Sequence, residues 1–257
     1  MSLSLPNITT NNFEELFKSV RIIVKYINFE LFYISMKLTK TVKYHYHLTE
    51  KTLLEDIDKF ISDARKGAFS WDYKFNSEGL KIIKQYFRIL RDKFDNKEYE
   101  ECKICYHKLI LFLFDASLGK DDADFGYEDL LAKITDDFDK IIRNYFLSLV
   151  KTCDMDELAQ RVSSYAAHMG DYGFESDIEI LIGELDKEKL TELKEKILSE
   201  AEGMTKKDYD KQDMVYFLLS LAIERKDKTQ YLFLCEKFKG ILKDDELNDI
   251  KKEYDYI

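Results

Sequence analysis

Past Asn7 the chain contains no proline: Pro6 is the only one in 257 residues, and there are just nine glycines. An average composition would supply roughly a dozen prolines and about twice as many glycines over this length. Proline breaks a helix interior by removing an amide donor and clashing with the preceding turn, and glycine weakens it through backbone entropy. Their scarcity permits helix throughout. It does not prove helix, because heavy use of Lys, Ile, Asn, Tyr and Phe is the mark of AT-rich coding, which depletes both residues for reasons unrelated to structure. The same scarcity removes the usual material of phosphate-cradling turns and metal knuckles, so function is sparsely written in this chain.

Apolar periodicity carries the helical reading. Phe13, Leu16, Phe17, Val20, Ile23, Val24, Ile27 and Leu31 form one wide stripe over Asn12 to Met36, which must be buried. A second helix is expected from Thr49, with Leu53, Leu54, Ile57, Phe60 and Ile61 on one face and a stop at Gly67. Ser77 can cap a helix holding Ile83, Tyr86, Phe87 and Leu90, and the Asp95-Asn96 break leads into Tyr99 to Phe114. An acidic loop, Gly119 to Asp129, precedes a helix over Leu130 to Val150. Asp154-Met155-Asp156-Glu157 has the form of a capping box, and Gly170 to Gly173 is the clearest turn. Shorter helices are expected over Ile178 to Ile182, Leu190 to Leu198, Met214 to Ile223, Thr229 to Phe238 and Asp245 to Tyr254.

Two turns look alike. Arg91 to Cys102, followed by Tyr106 and Leu109, and Glu224 to Tyr231, followed by Leu234, Cys235 and Phe238, share a turn-aromatic-small spacing that resembles a degenerate tetratricopeptide unit. The closing proline of that repeat is missing from both. The expected fold is all-α: about ten to twelve helices forming antiparallel hairpins stacked as a degenerate tetratricopeptide-like array. The expected organisation is an N-terminal helix and connector over 1–48 and a helical-hairpin domain over 49–257.

Composition narrows the function classes. A net charge of −10 and the uneven spread of acid disfavour nucleic acid as a partner of the whole surface. Eight carboxylates between Asp115 and Asp137 are offset only by Lys120 and Lys133, whereas the first fifty residues carry six Lys or Arg against four Glu. No apolar run reaches the roughly eighteen residues that span a bilayer, so no membrane association is expected. Four scattered cysteines, Cys102, Cys105, Cys153 and Cys235, are expected as reduced thiols in a cytoplasmic protein.

The residues that could carry chemistry each have a simpler reading. Cys102-Lys103-Ile104-Cys105 could chelate zinc or run redox chemistry, but no second pair of ligands accompanies it, and both thiols fall on the apolar stripe of a helix. His45 and His47 alternate with Tyr44 and Tyr46 beside Lys37, Lys40 and Lys43, a modest platform for a metal or single-stranded nucleic acid, or else a surface connector or edge strand. Asp121, Asp122, Asp124 and Gly126 have the outline of a calcium loop, yet Ala123 and Phe125 stand where oxygen ligands belong. Pairs such as Asp136 and Asp137, or Glu192 and Glu195, arise by chance in so acidic a chain. His168 suits a helix C-terminus, and Trp71 suits an aromatic lock between helices. No catalytic residue, cofactor-binding residue or metal ligand is therefore assigned.

Ala68-Phe69-Ser70-Trp71-Asp72-Tyr73, the Phe94 to Phe114 hairpin, Asp121 to Gly126, and Ala166 to Gly173 together resemble a helical region found C-terminal to SWIM-type zinc fingers in microbial proteins. The similarity covers roughly residues 50 to 200. It implies a tetratricopeptide-like domain of unknown activity and no catalytic residues. Cys105-Tyr106-His107 has the second half of the zinc-finger pattern, but no CxC precedes it, so the chain departs from the family at the residues on which metal binding and a nucleic-acid role depend. Met1-Ser2-Leu3 is compatible with an added leader, on which reading the chain is a fragment of a longer protein. The functional expectation is a non-enzymatic scaffold that binds a partner protein or peptide. The alternative is an accessory domain of a nucleic-acid-associated protein of the SWIM type.

Overall fold

The computed structural model describes residues 50–70, 76–170, 172–205 and 209–242. All of them belong to a compact unit running from 48 to 257; a separate unit over 1–47 lies outside the described residues. The expected helices over Asn12 to Met36 and Asp245 to Tyr254, the segment Lys37 to His47, and Trp71 also lie outside them. Among the described residues there are ten helices and no strand: α1 (Leu53–Arg65), α2 (Asn76–Asp95), α3 (Tyr99–Ser117), α4 (Leu130–Ile134), α5 (Asp139–Thr152), α6 (Met155–His168), α7 (Glu175–Glu184), α8 (Lys187–Gly203), α9 (Tyr209–Glu224) and α10 (Lys228–Lys237). The all-α array of packed helices expected from the apolar stripes is what the chain forms. No described helix is long and apolar enough to cross a membrane.

Several boundaries are set by single side chains. Thr52 caps α1 by accepting the Glu55 amide at 3.2 Å, and Glu55 accepts the Thr52 amide in return at 3.0 Å, a complete capping box that places the helix start after Thr49. Asp154 caps α6 through the Glu157 amide at 2.8 Å, but Glu157 does not reach back. Its carboxylate is taken by Lys103 at 2.9 Å and Arg161 at 3.1 Å instead. Ser77 lies inside the first turn of α2.

The expected continuous helix over Leu130 to Val150 is broken. Thr135 is extended, its hydroxyl accepts the Asp137 amide at 3.2 Å, and Asp137 accepts the Lys140 amide at 3.1 Å. Thr-Asp-Asp offers the backbone local partners that compete with the helical ladder, and here they win.

The two turns that look alike in sequence are alike in structure. Lys97 and Lys226 both adopt the left-handed conformation, with φ of 67° and 55°. The Lys97 and Glu98 amides donate to Phe94 and Lys93 carbonyls, and the Lys226 and Asp227 amides donate to Ile223 and Ala222 carbonyls in the same pattern. This is the Schellman arrangement, and Gly67 ends α1 in the same way. After each lysine turn the same helical positions are buried: Cys102, Cys105, Tyr106 and Leu109 in α3, and Tyr231, Leu234, Cys235 and Phe238 at and after α10. At the first and third of these positions small and aromatic residues exchange places, Cys102 and Tyr106 standing where Tyr231 and Cys235 stand in the other.

Between these hairpins the chain follows another rule. α5 and α6 are joined by Cys153-Asp154, and α7 and α8 by Leu185-Asp186; all four residues are extended, and each Asp caps the helix that follows. Two extended residues redirect the chain without reversing it. The members of each pair therefore touch little, and the pairs stack on one another instead: α3 packs on α5, α5 on α7, and α6 on both α8 and α9. α2 packs on α3, and α9 on α8 and α10, as neighbours in sequence.

An aromatic core ties the layers together. Phe125 descends from the acidic loop, 4% exposed, to rings at 6.3 Å from Phe60 and 6.1 Å from Phe112. Burying a phenylalanine contributes about 2–3 kcal/mol, which anchors a loop otherwise made of carboxylates. Gly79 lets α2 approach this cluster, since a Cβ there would meet Phe69 Cβ at 2.8 Å and Phe125 Cε1 at 3.0 Å. Gly79→Ala is expected to lower the melting temperature, at a cost of about 1–3 kcal/mol from overpacking that outweighs alanine's better helix propensity. Thermal unfolding followed by circular dichroism checks this, and an unchanged or raised midpoint contradicts it.

Candidate functional site

α7 begins at an unassisted end, because its N-cap residue Phe174 has no side-chain acceptor. Asp139, in the first turn of α5, supplies one from outside: it accepts the Ser176 amide at 3.1 Å and the Ser176 hydroxyl as well. Asp177, the next residue of α7, is 2% exposed. One of its oxygens accepts the Ile178 amide at 2.6 Å and the other accepts the buried Tyr165 hydroxyl at 2.8 Å. Burial pushes the Asp177 carboxyl up to about 7, with hydrogen bonds from Tyr165 and Ile178 opposing the shift. The Tyr165 hydroxyl is pushed upward by burial and then by the charge of Asp177, so the phenol keeps its proton.

Asp177 forms part of the floor of a cleft of about 1010 Å³ between α7 and α9. Phe217 and Ile178 supply apolar floor, and Met169, Ile182 and Ile223 supply apolar wall. Glu175, Glu179 and Glu224 stand with Asp177 along the lining, and among the described residues no Lys or Arg lines it. Arg143 reaches Glu179 at 3.1 Å. α9 ends at Glu224, and Arg225 and Lys226 follow it directly, so the negative potential of the rim comes from its carboxylates rather than from the helix end. The combination is an apolar trough with an anionic rim.

A second buried polar pair lies behind this site. The Tyr145 hydroxyl and His107 Nδ1 are 2.6 Å apart. Burial first, and then Arg161 and His168, lower the His107 imidazolium to about 4, so the ring is neutral near pH 7 and shares a hydrogen bond with the tyrosine hydroxyl, which burial keeps protonated. Rings carry the contact onward, with Tyr145 at 6.2 Å and Phe146 at 4.9 Å from Tyr165.

The residues singled out in the sequence are placed elsewhere. Cys102 and Cys105 are wholly buried on the core face of α3, their thiols pushed up to about 12 by desolvation and by Glu101. Cys102 Sγ is 3.6 Å from the Leu90 carbonyl oxygen. Asp121 accepts two guanidinium N–H groups of Arg65 at 2.7 and 2.9 Å and the Ala123 amide at 3.0 Å. Asp124 accepts the Gly126 amide at 2.7 Å. The loop thus uses these oxygens to fold on itself, with Ala123 and Phe125 as apolar anchors. Among the described residues no three His, Cys, Asp or Glu side chains gather as metal ligands. His168 Nδ1 meets the Ser164 carbonyl at 2.7 Å, and its Nε2 lies 3.7 Å from Asp115. Asp137 is a turn residue, and Glu192 meets Lys196 at 3.5 Å. None of these joins the cleft.

Sequence reasoning missed Asp177 and Tyr165. The available signal was an acid on the buried stripe of a helix, since Asp177 precedes Ile180 and Leu181 by three and four residues.

Because the folded-state value of Asp177 lies above its ordinary 3.8, the native state holds the proton more tightly than the unfolded chain. Its contribution to stability is complete below about pH 4 and is lost as pH rises through about 7, a span on the order of 4 kcal/mol. Urea unfolding at about pH 5 and pH 8 is expected to show this fall in the native chain, and Asp177→Asn is expected to flatten it. An equal fall in the variant contradicts the assignment. For Cys102 and Cys105, a thiol reagent at about pH 8 is expected to react only after unfolding. Rapid modification of these two in the native protein reverses that reading.

Comparison of the chain with protein-family models, with curated proteins and with solved structures finds no match.

Proposed function

We propose that the chain is a non-enzymatic helical scaffold, and that the cleft between α7 and α9 receives a basic, amphipathic helical segment of a partner protein. The observation that carries this reading is the pairing of apolar floor with anionic rim in a single trough. An amphipathic helix presents the complement, with apolar side chains on one stripe and cations on its flanks. The volume of about 1010 Å³ leaves room for a few large side chains of such a helix. Rim carboxylates set charge selectivity and association rate, and the floor supplies affinity.

The non-catalytic part of the reading draws support from how the buried titratable groups are used. Tyr165 is committed to Asp177 and Tyr145 to His107, so each pair satisfies itself within the core. The four unbridged thiols support a reducing, cytoplasmic setting. Support for a tetratricopeptide-like relationship, and with it the resemblance to regions beside SWIM-type fingers, comes from the matching Lys97 and Lys226 turns. The alternative nucleic-acid role rests on Lys37 to His47, outside the described residues.

A synthetic lysine–leucine amphipathic helix, titrated against the whole chain by fluorescence anisotropy, is expected to bind saturably and to weaken as salt is raised. Charge reversal of the rim, Glu175→Lys with Glu224→Lys, is expected to weaken it about tenfold or more. An otherwise equal glutamate–leucine helix is expected to bind less. No binding, equal binding of both helices, or indifference to the rim variants would falsify the proposal.

A further inference from the structure

A second cleft, of about 280 Å³, opens between α2 and the start of α5, and its charge is opposite to that of the first. Lys84, Arg88 and Arg91 come from one stripe of α2, and Lys140 comes from the first turn of α5. Among the described residues Asp137 is the one carboxylate that lines it, and one of its oxygens accepts the Lys140 amide at 3.1 Å. The floor is apolar and aromatic: Phe87 is 7% exposed and its ring lies 6.2 Å from that of Tyr106, which is 1% exposed. The Tyr106 hydroxyl bonds to the Asn144 side chain, and Arg91 is close enough to act on its ionisation.

Two features set this arrangement apart from the rest of α2. Lys84, Arg88 and Arg91 follow one another at spacings of four and three on one helical stripe, so three cations share a face, of which Arg88 bonds to the Gln85 side chain. The chain has ample acid, with 50 Asp and Glu against 40 Lys and Arg, yet Lys84, Arg91 and Lys140 form no ion pair among the described residues. Elsewhere on α2, Lys81 pairs with Glu78 at 2.6 Å and Lys93 with Glu101 at 2.7 Å, so the helix does pair its cations where acids are within reach.

We infer that this cleft binds a phosphate monoester carried on a flat apolar body. The guanidinium of Arg91 supplies planar donors matched to phosphate oxygens, Lys84 and Lys140 supply point charge, and the Phe87–Tyr106 floor receives the apolar body. A volume of about 280 Å³ admits a phosphorylated ring and little more. A free organophosphate and a phosphorylated tyrosine displayed on a peptide share this chemistry. The site is independent of the α7–α9 cleft, so either reading stands if the other fails.

Phenyl phosphate titrated against the whole chain, followed by calorimetry or amide chemical shifts, is the direct test. Saturable binding in the millimolar range or tighter is expected, weakening as salt is raised. Lys84→Gln combined with Arg91→Gln is expected to reduce affinity about tenfold or more and, by relieving like-charge repulsion, to leave the melting temperature unchanged or higher. That pairing separates a binding role from a structural one, because loss of a structural cation lowers the melting temperature. Lys189→Gln, an exposed cation of α8, is expected to bind as the native chain does. A phosphotyrosine peptide that binds more tightly than phenyl phosphate assigns the ligand to a partner chain, and the reverse order assigns it to a free molecule; both uphold the site. Absence of saturable binding by either probe, equal binding of phenol, or binding indifferent to the double variant overturns it.

Discussion

The phenol ring of Tyr165 is where five helices are held to one another. From α6 it meets Phe114 of α3 at 5.7 Å, Tyr145 and Phe146 of α5, and Phe217 of α9 at 6.3 Å, and its hydroxyl ends on Asp177 of α7. A fully buried phenol must spend its hydroxyl on some acceptor, since an unsatisfied one costs about 1–3 kcal/mol. Asp177 is that acceptor, which pins α7 against α6. The same bond buries a carboxyl group in a site too apolar to favour its charge. Packing and acid chemistry at the floor of the acidic cleft therefore have one origin.

Much of the helical content was legible because the stripes are long and the caps are explicit. Tyr99 to Phe114 needed only its register, and the Gly67 stop and the two lysine turns were readable from residue order. Less legible was the direction taken by the chain between helices. Cys153-Asp154 and Leu185-Asp186 mark helix starts clearly, but whether a two-residue link reverses the chain or deflects it depends on backbone angles that those residues share with many others. Thr135 to Asp137 had the composition of a break and was outweighed by the apolar residues on both sides. Site residues were hardest to find. Asp177 acquires meaning only through Tyr165, twelve residues away on another helix, and the α2 cations acquire it only when Lys140 is brought beside them.

Charge in this chain is sorted by place rather than averaged. In the stretch richest in carboxylates, around Asp121 to Asp129, Asp121 and Asp124 accept amides of their own loop and Asp121 meets Arg65, while Asp122 and Glu128 stay exposed. The cleft acids come instead from scattered positions on α7 and α9, and the basic cleft sits on a protein whose total charge is −10. Net charge here is a poor guide to what a given face will attract, because a pocket samples its own lining and the Debye length screens the rest within about 8 Å at physiological salt.

Lys97 and Lys226 occupy a backbone region that strains every residue with a Cβ, by about 1–2 kcal/mol in a regular left-handed helix and less in a single turn. Glycine would remove that strain. A chain nearly empty of glycine and proline thus ends these helices with residues that would as readily continue them, and the stop is imposed by the packing of Cys102 and Tyr106, or of Tyr231 and Cys235, against the preceding helix. Such a turn has no existence apart from the tertiary fold. As the core loosens, the contacts that hold the left-handed corner go with it, so the turn and the hairpin it closes are lost together.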